Sequence, residues 1–200
     1  MQRSLMPKNK PRVIAVIPAR GGSKGIIDKN LRTINGIPLV ARAIITAQNC
    51  KNIDEVYVSS DSLKILKMAK IYGAKVHHRS DFASNDDAST EDALNDFLEY
   101  LGNQNTPEFL TYLQCTSPFI DPDEIVSGID LIQKEANIDT VFSAKEFHGF
   151  IWQNSIMNYS SSGVNHDHLE QRKRRQDLAS EHLVEDGSFY ILRTDKYLKT

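Results

Sequence analysis

Cysteine is scarce in this chain of 200 residues: Cys50 and Cys115 are the only two, and they form no CxxC pair. Both lie in or beside apolar stretches, which predicts two buried free thiols rather than a disulfide. An excess of charge of one sign is also missing. The 24 basic residues nearly cancel the 26 acidic ones, leaving a net charge of −2. That balance argues against a general nucleic-acid or membrane-binding surface, so any anion site has to come from local clustering. No run approaches the roughly 18 apolar residues of a membrane span. Met1 to Arg12 is basic and polar, without the apolar core of a signal peptide. The expectation is a soluble, cytoplasmic protein. With 40% hydrophobic and 25% charged residues the composition is that of an ordinary globular domain, and the length suits one domain, 1–200, with a real core.

What is present is an alternation of short apolar strands and amphipathic helices. Val13-Ile14-Ala15-Val16-Ile17 is continuous and apolar up to Pro18, the pattern of a strand buried on both faces. A turn at Asn35-Gly36 precedes a helix opened by Pro38, with Leu39, Val40, Ala43, Ile44 and Ala47 on one face. Val56-Tyr57-Val58 reads as a second strand, and Asp61 as the cap of the helix that follows it. A short strand is expected near Lys75–His77, then a helix capped by Ser89 or Thr90 that turns Ala93, Leu94, Phe97, Leu98 and Leu101 inward. Phe109–Gln114 is a further strand. Asp121-Pro122 starts a helix with an Ile125, Val126, Ile129, Ile132 stripe, and Thr140–Ser143 and Gly187–Leu192 are the last strands. The pattern predicts an α/β fold, a mostly parallel sheet covered by helices on both faces. Between about 153 and 180 the periodicity fades, which reads as an arm or dimerisation excursion.

The loop after the first strand carries the chemistry. Ala19-Arg20-Gly21-Gly22-Ser23-Lys24-Gly25 would lie at the carboxyl end of a buried strand, where open α/β sheets bind ligands. Its glycines let backbone N–H groups approach an anion. Arg20, Lys24 and Lys29 add three positive charges, with Asp28 the one nearby acid. Each charge-assisted hydrogen bond to a phosphate contributes roughly 1.5–3 kcal/mol. The loop has neither the GxxxxGK[ST] nor the GxGxxG spacing, so the ATPase and dinucleotide readings lose their main support. A solvated basic turn is the alternative reading.

Six ordered blocks carry a resemblance. They are Ile17-Pro18-Ala19-Arg20-Gly21-Gly22-Ser23-Lys24-Gly25 with Lys29-Asn30, Val58-Ser59-Ser60-Asp61-Ser62, Arg79 to Thr90, Leu113-Gln114-Cys115-Thr116-Ser117-Pro118, Arg174-Arg175-Gln176-Asp177, and Glu185-Asp186-Gly187-Ser188-Phe189-Tyr190. Together they resemble the N-acylneuraminate cytidylyltransferases, and the last two look closer to the animal enzymes than to many bacterial ones. The resemblance implies a Rossmann-like nucleotidyltransferase sheet and a homodimer. It implies a reaction in which CTP and a sialic-acid-type sugar give CMP-sugar and pyrophosphate. Pseudaminic, legionaminic and Kdo-like acids are alternative acceptors, and a nucleotide-binding module without turnover is an alternative of another class.

By the same resemblance Arg20, Ser23, Lys24 and Lys29 hold the triphosphate, with Lys29 at the α-phosphate. Asn30, Arg79, Ser89 and Thr90 match positions that contact cytosine and ribose, although Ser89 and Thr90 also read as plain helix caps. Gln114 matches a position near the acceptor sugar. Arg174 and Arg175 match arginines that reach the active site from the arm. The run Arg172-Lys173-Arg174-Arg175 also has the look of a nuclear-localisation stretch or a solvated face. Mg²⁺ is implied, but the family's aspartate pair has no counterpart before Thr200, which leaves the metal ligands unassigned and makes the chain look C-terminally truncated. Asp61 and Asp186 are the carboxylates near strand ends in the matched blocks. Cys115 stands for the usual proline, Ile120 and Val184 for arginines of bacterial relatives, and Asp186 for a frequent asparagine. His166-Asp167-His168 reads as exposed loop rather than a metal site, and Trp152 as a core or interface anchor.

Overall fold

Val13–Pro18 forms β1, hydrogen-bonded on one side to β4 (Glu55–Ser60) and on the other to β6 (Phe109–Leu113), both parallel to it. This computed structural model describes residues 11–23, 25–85, 88–155, 160–167, 169–171, 173–174 and 182–199. A strand with partners on both edges and helices on both faces has no wet side, which is why five consecutive apolar residues suit β1. The pleat sorts them by layer. Val13, Ala15 and Ile17 join a core with α1 (Leu39–Gln48), α2 (Leu63–Ile71) and α4 (Pro122–Lys134). Ile14 and Val16 face the other way, against Leu94, Phe97, Leu98 and Leu101 of α3 (Thr90–Leu101).

The six-stranded sheet has the order β5-β4-β1-β6-β10-β7, where β5 is Lys75–His78, β7 is Thr140–Glu146 and β10 is Leu183–Arg193. From β5 to β6 the strands run parallel, and β10 returns antiparallel to β6 with Phe189 opposite Leu113. The expected mostly parallel α/β sheet is the one observed. From β1 the chain steps outward to β4 and β5, then crosses back to β6 on the opposite side of β1. The order therefore reverses between β1 and β6, and such a reversal opens a crevice at the carboxyl ends of the two strands.

Short elements complete the frame. β2 (Thr33–Ile34) and β3 (Ile37–Pro38) form a hairpin whose turn residues, Asn35 and Gly36, have φ of 50° and 77°. Asn-Gly is the pair that tolerates two successive left-handed conformations. The chain divides into two compact units, one running up to Phe142 and resuming at Gly187, the other Ser143–Asp186. The second holds a hairpin of β8 (Trp152–Ser155) and β9 (Ser160–Gly163), braced by Asn165, which accepts from Ile151 N–H and donates to the Gly149 carbonyl. Trp152 is no core anchor there: it is half exposed, with its ring centroid 4.7 Å from that of His166 in an edge-on arrangement. A one-turn helix, α5 (Thr194–Tyr197), follows β10. No helix among the described residues is long and apolar enough to cross a membrane. Cys50 and Cys115 are free and buried, as their apolar settings predict.

Candidate functional site

The crevice between β1 and β6 contains a cavity of about 130 Å³. Arg20, Ser23, Lys29 and Asn30 reach it from the loop after β1. Tyr112, Gln114, Cys115 and Thr116 reach it from the end of β6. Two segments some ninety residues apart thus supply one site, and the sheet reversal is what brings them together. Among the described residues the lining holds two fixed cations and no carboxylate, a setting that favours an anion.

Several contacts shape the loop. Ala19 N–H donates to the Ser59 carbonyl at 2.9 Å, which fixes the loop's first residue to β4. Gly21 N–H donates to Asp61 Oδ1 at 2.8 Å, and a Cβ at Gly21 would fall 2.8 Å from Ser62 Cβ. Glycine is thus required there for close approach. At the far end Asp28 adopts a left-handed conformation, φ 52°, and the chain enters a 3-10 turn over Lys29–Leu31. The buried Asn30 side chain donates its amide to the Arg20 carbonyl at 3.0 Å, closing the loop onto itself. A loop pinned at both ends costs less ordering entropy when a ligand arrives.

The strand side is polar in a different way. Burial raises the pKa of Tyr112, and side-chain hydrogen bonding with Thr90 and Gln114 opposes that shift. Thr116 donates its hydroxyl to Gln114 Oε1 at 3.1 Å. Burial pushes the Cys115 thiol up to about 12, against the opposing pull of the Lys29 ammonium. Cys115 is therefore a neutral wall beside a charged lysine.

Arg79 is buried, its exposure only 5%. It donates from Nε to Ser59 Oγ at 3.2 Å and from Nη2 to the Ser59 carbonyl at 2.8 Å. Burial lowers its pKa, the neighbouring Asp61, Asp96 and Tyr112 oppose that shift, and Arg20 adds to it.

The structure thus gathers Arg20, Ser23, Lys29, Asn30 and Gln114 around one cavity, with Thr90 attached through Tyr112. Ser89 does not line it. Its hydroxyl accepts from Asp92 N–H at 3.0 Å and its own N–H donates to Asp92 Oδ2 at 2.8 Å, a capping box at the start of α3. Asp61 does not cap α2 as the sequence suggests; Ser62 takes that position, without a side-chain hydrogen bond, and the Asp61 carboxylate serves the glycine loop instead. Arg174 is exposed and belongs to the second unit. Lys24, Arg175, Arg172 and His168 lie outside the described residues. Asp186 accepts from the Ser143 hydroxyl at 2.6 Å within the second unit. Sequence reasoning overlooked Tyr112 as a site residue. Its signal was a polar hydroxyl two positions before Gln114 in a largely apolar strand, on the same face as Gln114 by the period of two.

A cytidylyltransferase family model matches residues 14–186. The chain is 37% identical over 186 residues to an N-acylneuraminate cytidylyltransferase of Oncorhynchus mykiss, covering 91% of this chain and 41% of that protein. It spans about two fifths of the length of that relative. It is 31% identical over 189 residues to a pseudaminic acid cytidylyltransferase of Campylobacter jejuni, covering 93% of this chain and 80% of the other. In fold it is similar to a CMP:2-keto-3-deoxy-manno-octonic acid synthetase solved in complex with CTP. The TM-score is 0.69 at 18% identity, with 94% of this chain and 76% of that one covered.

Proposed function

We propose that this chain, which belongs to the cytidylyltransferase family, binds CTP in the crevice between β1 and β6 and transfers its cytidylyl group to a sialic-acid-type sugar. The observation that carries the reading is the convergence of Arg20, Ser23 and Lys29 with Gln114 at the point where the strand order reverses. Arg20, Ser23 and Lys29, with Lys24 of the same loop, hold the triphosphate. Lys29 stabilises charge developing at the α-phosphate. The sugar's anomeric hydroxyl gives up its proton to water and its oxygen forms a bond to the α-phosphorus as the bond from the α-phosphorus to the bridging oxygen breaks, and pyrophosphate leaves with that oxygen. Such a displacement needs alignment and cations rather than a protein nucleophile.

The edge of cytosine offers an amino donor with ring-nitrogen and carbonyl acceptors, which suits Arg79, Asn30 and the hydroxyl of Thr90, while Ser89 stays a helix cap. In this reading Gln114, held by Thr116 and Tyr112, faces the acceptor sugar, and Arg174 and Arg175 meet a carboxylate or phosphate. The likeness to a pseudaminic acid enzyme over most of that protein's length keeps the related nine-carbon acid as a second reading.

Mg²⁺ is implied by the family. Among the described residues no three His, Cys, Asp or Glu side chains form a metal-binding group, and the carboxylate beside the loop, Asp61, is engaged by Gly21 N–H. These residues do not fit a metal held by protein ligands alone. A homodimer completes the proposal, with sedimentation as its check.

Pyrophosphate release from CTP, measured with a panel of sialic, pseudaminic, legionaminic and Kdo acids, tests the activity. Release with sialic acid foremost supports it. CTP binding without release for any member of the panel would leave only a nucleotide-binding module.

A further inference from the structure

Arg79 lines a second cavity rather than the one between β1 and β6, and the residues that hold it form a continuous polar chain from the glycine loop to α3. Along β5 the pleat turns His77 inward, leaves His78 exposed, and the next inward side chain, just past the strand, is Arg79. His77 lies opposite Ser59 in the parallel register of β4 and β5. Its Nδ1 is 3.0 Å from Ser59 Oγ, the same oxygen that accepts from Arg79 Nε. Its Nε2 is 3.4 Å from Asp96 Oδ2 of α3, a carboxylate oxygen that also accepts from Ser80 N–H at 3.1 Å. Phe97 and Tyr100 of α3 pack against the imidazole, with ring centroids at 5.6 and 4.7 Å. Ser59 is fully buried, and its carbonyl accepts from both Arg79 Nη2 and Ala19 N–H. One serine therefore fastens Arg79 and the first residue of the glycine loop together.

One arrangement of protons pairs each of these groups. Ser59 Oγ accepts the Arg79 proton, so its own hydrogen needs an acceptor, and a neutral His77 offers one at Nδ1. The His77 proton then sits on Nε2, aimed at Asp96. A proton added at Nδ1 leaves the Ser59 hydroxyl with two donors and no acceptor, and an unmade buried hydrogen bond is costly. The groups facing the imidazole are Asp96, Glu99 and Tyr100 from α3, and Arg79 and His78 from its own segment. A cavity of about 530 Å³ beside His77 and Asp96 gives the ring access to solvent protons.

We propose that His77 is a positioning residue for the nucleotide site: through the Ser59 hydroxyl it holds the Arg79 guanidinium in register with the glycine loop, and protonation of His77 loosens that hold. The proposal rests on the reading in which Arg79 contacts the nucleotide.

CTP affinity measured by calorimetry between about pH 8 and about pH 5.5 tests it in the wild type, His77→Asn and Arg79→Lys. The asparagine carbonyl replaces Nδ1 as an acceptor but does not titrate. His77→Asn is expected to bind within about threefold of wild type at the alkaline end. It should lose the acid-dependent weakening that the wild type shows, which a ring titrating below 6.5 holds to less than about tenfold at the acid end. The ionisation of CTP itself is common to all three proteins and cancels in the comparison.

Binding is also reciprocal: CTP must lower the apparent pKa of the His77 ring, which NMR of the wild-type imidazoles reads without any variant. Superimposable pH profiles for wild type and His77→Asn, or a His77 titration indifferent to CTP, would overturn the proposal. If Arg79→Lys binds CTP as wild type does, the nucleotide reading of Arg79 has failed. If Arg79→Lys is weak but the His77 measurements show no effect, only the positioning role has.

Discussion

At the scale of single residues, the cavity separates side chains that meet a ligand from those that shape the loop. Arg20 and Lys29 line it from a surface loop, so their loss should spare the core. Arg20→Ala and Lys29→Ala are expected to weaken CTP binding or turnover by about tenfold or more each, the equivalent of one charge-assisted hydrogen bond, with unchanged melting temperatures. Wild-type kinetics in either variant would contradict the phosphate cradle. Asn30 belongs to both groups: it lines the cavity, and its amide closes the loop onto the Arg20 carbonyl. Asn30→Ala removes that hydrogen bond and should cost about 1–3 kcal/mol of stability as well as affinity, which chemical denaturation separates from binding. Preference for CTP over UTP is a further expectation. Uracil inverts donor and acceptor at two ring positions and leaves site groups unpaired, at roughly 1–3 kcal/mol each. Equal calorimetric affinities for the two nucleotides would refute it.

At the scale of elements, two ends and one turn decide the geometry. The capping box of Ser89 and Asp92 starts α3, whose Thr90 reaches Tyr112 and whose Asp96 reaches His77. Ser89→Ala should cost about 1 kcal/mol, read as a fall of about 2–4 °C in Tm for a chain of this size. A fall in CTP affinity larger than the stability loss explains would mean that Ser89 also touches the nucleotide. The loop after β1 is built on the Gly21 contact with Ser62 and Asp61. Gly21→Ala forces the two segments apart, and CTP affinity should drop while far-UV circular dichroism stays unchanged. The Gly21 contact joins residues about forty apart in sequence, so the glycine run announced a special turn without saying what it approaches. The β8–β9 hairpin was illegible for another reason: Gln153, Asn154, Ser161 and Ser162 carry no apolar alternation to mark a strand.

At the scale of the whole molecule, acid should weaken the fold in two steps. Burial, with help from Arg79 and His78, lowers the pKa of His77 from 6.5 despite the opposing pull of Asp96. A depressed folded value means that the unfolded chain takes up the proton more readily, so this stability is present above pH 6.5 and is lost as pH falls through the folded value. Glu55 adds the second step. Burial pushes its carboxyl up, but hydrogen bonds from Lys75, Arg12 and Tyr57 outweigh that and hold it at about 2 against an ordinary 4.5. Its contribution is complete above pH 4.5 and disappears as pH falls through about 2. Urea midpoints across the acid range should show both steps, with Glu55→Gln lacking the lower one and His77→Asn the upper. A lower step unchanged in Glu55→Gln would remove that ion cluster from the account.

The sequence by itself determined the layers of this protein and the chemistry of its loop. Continuous apolar residues at 13–17 can only be satisfied by burial on both faces, and helical stripes such as Ile125, Val126, Ile129 and Ile132 have one face to cover, so periodicity alone implies a helix-covered sheet. The clustering of Arg20, Lys24 and Lys29 around glycines is likewise a local property, readable without a fold. Only the tertiary structure decided partnership. The order β5-β4-β1-β6 is what sets Gln114 and Tyr112 across from Arg20 and Lys29. It also turns Asp61 from a helix cap into a tether for Gly21 and sets His77 against Ser59. These are contacts between segments far apart along the chain, and their geometry follows from strand order and register, which local propensity does not encode.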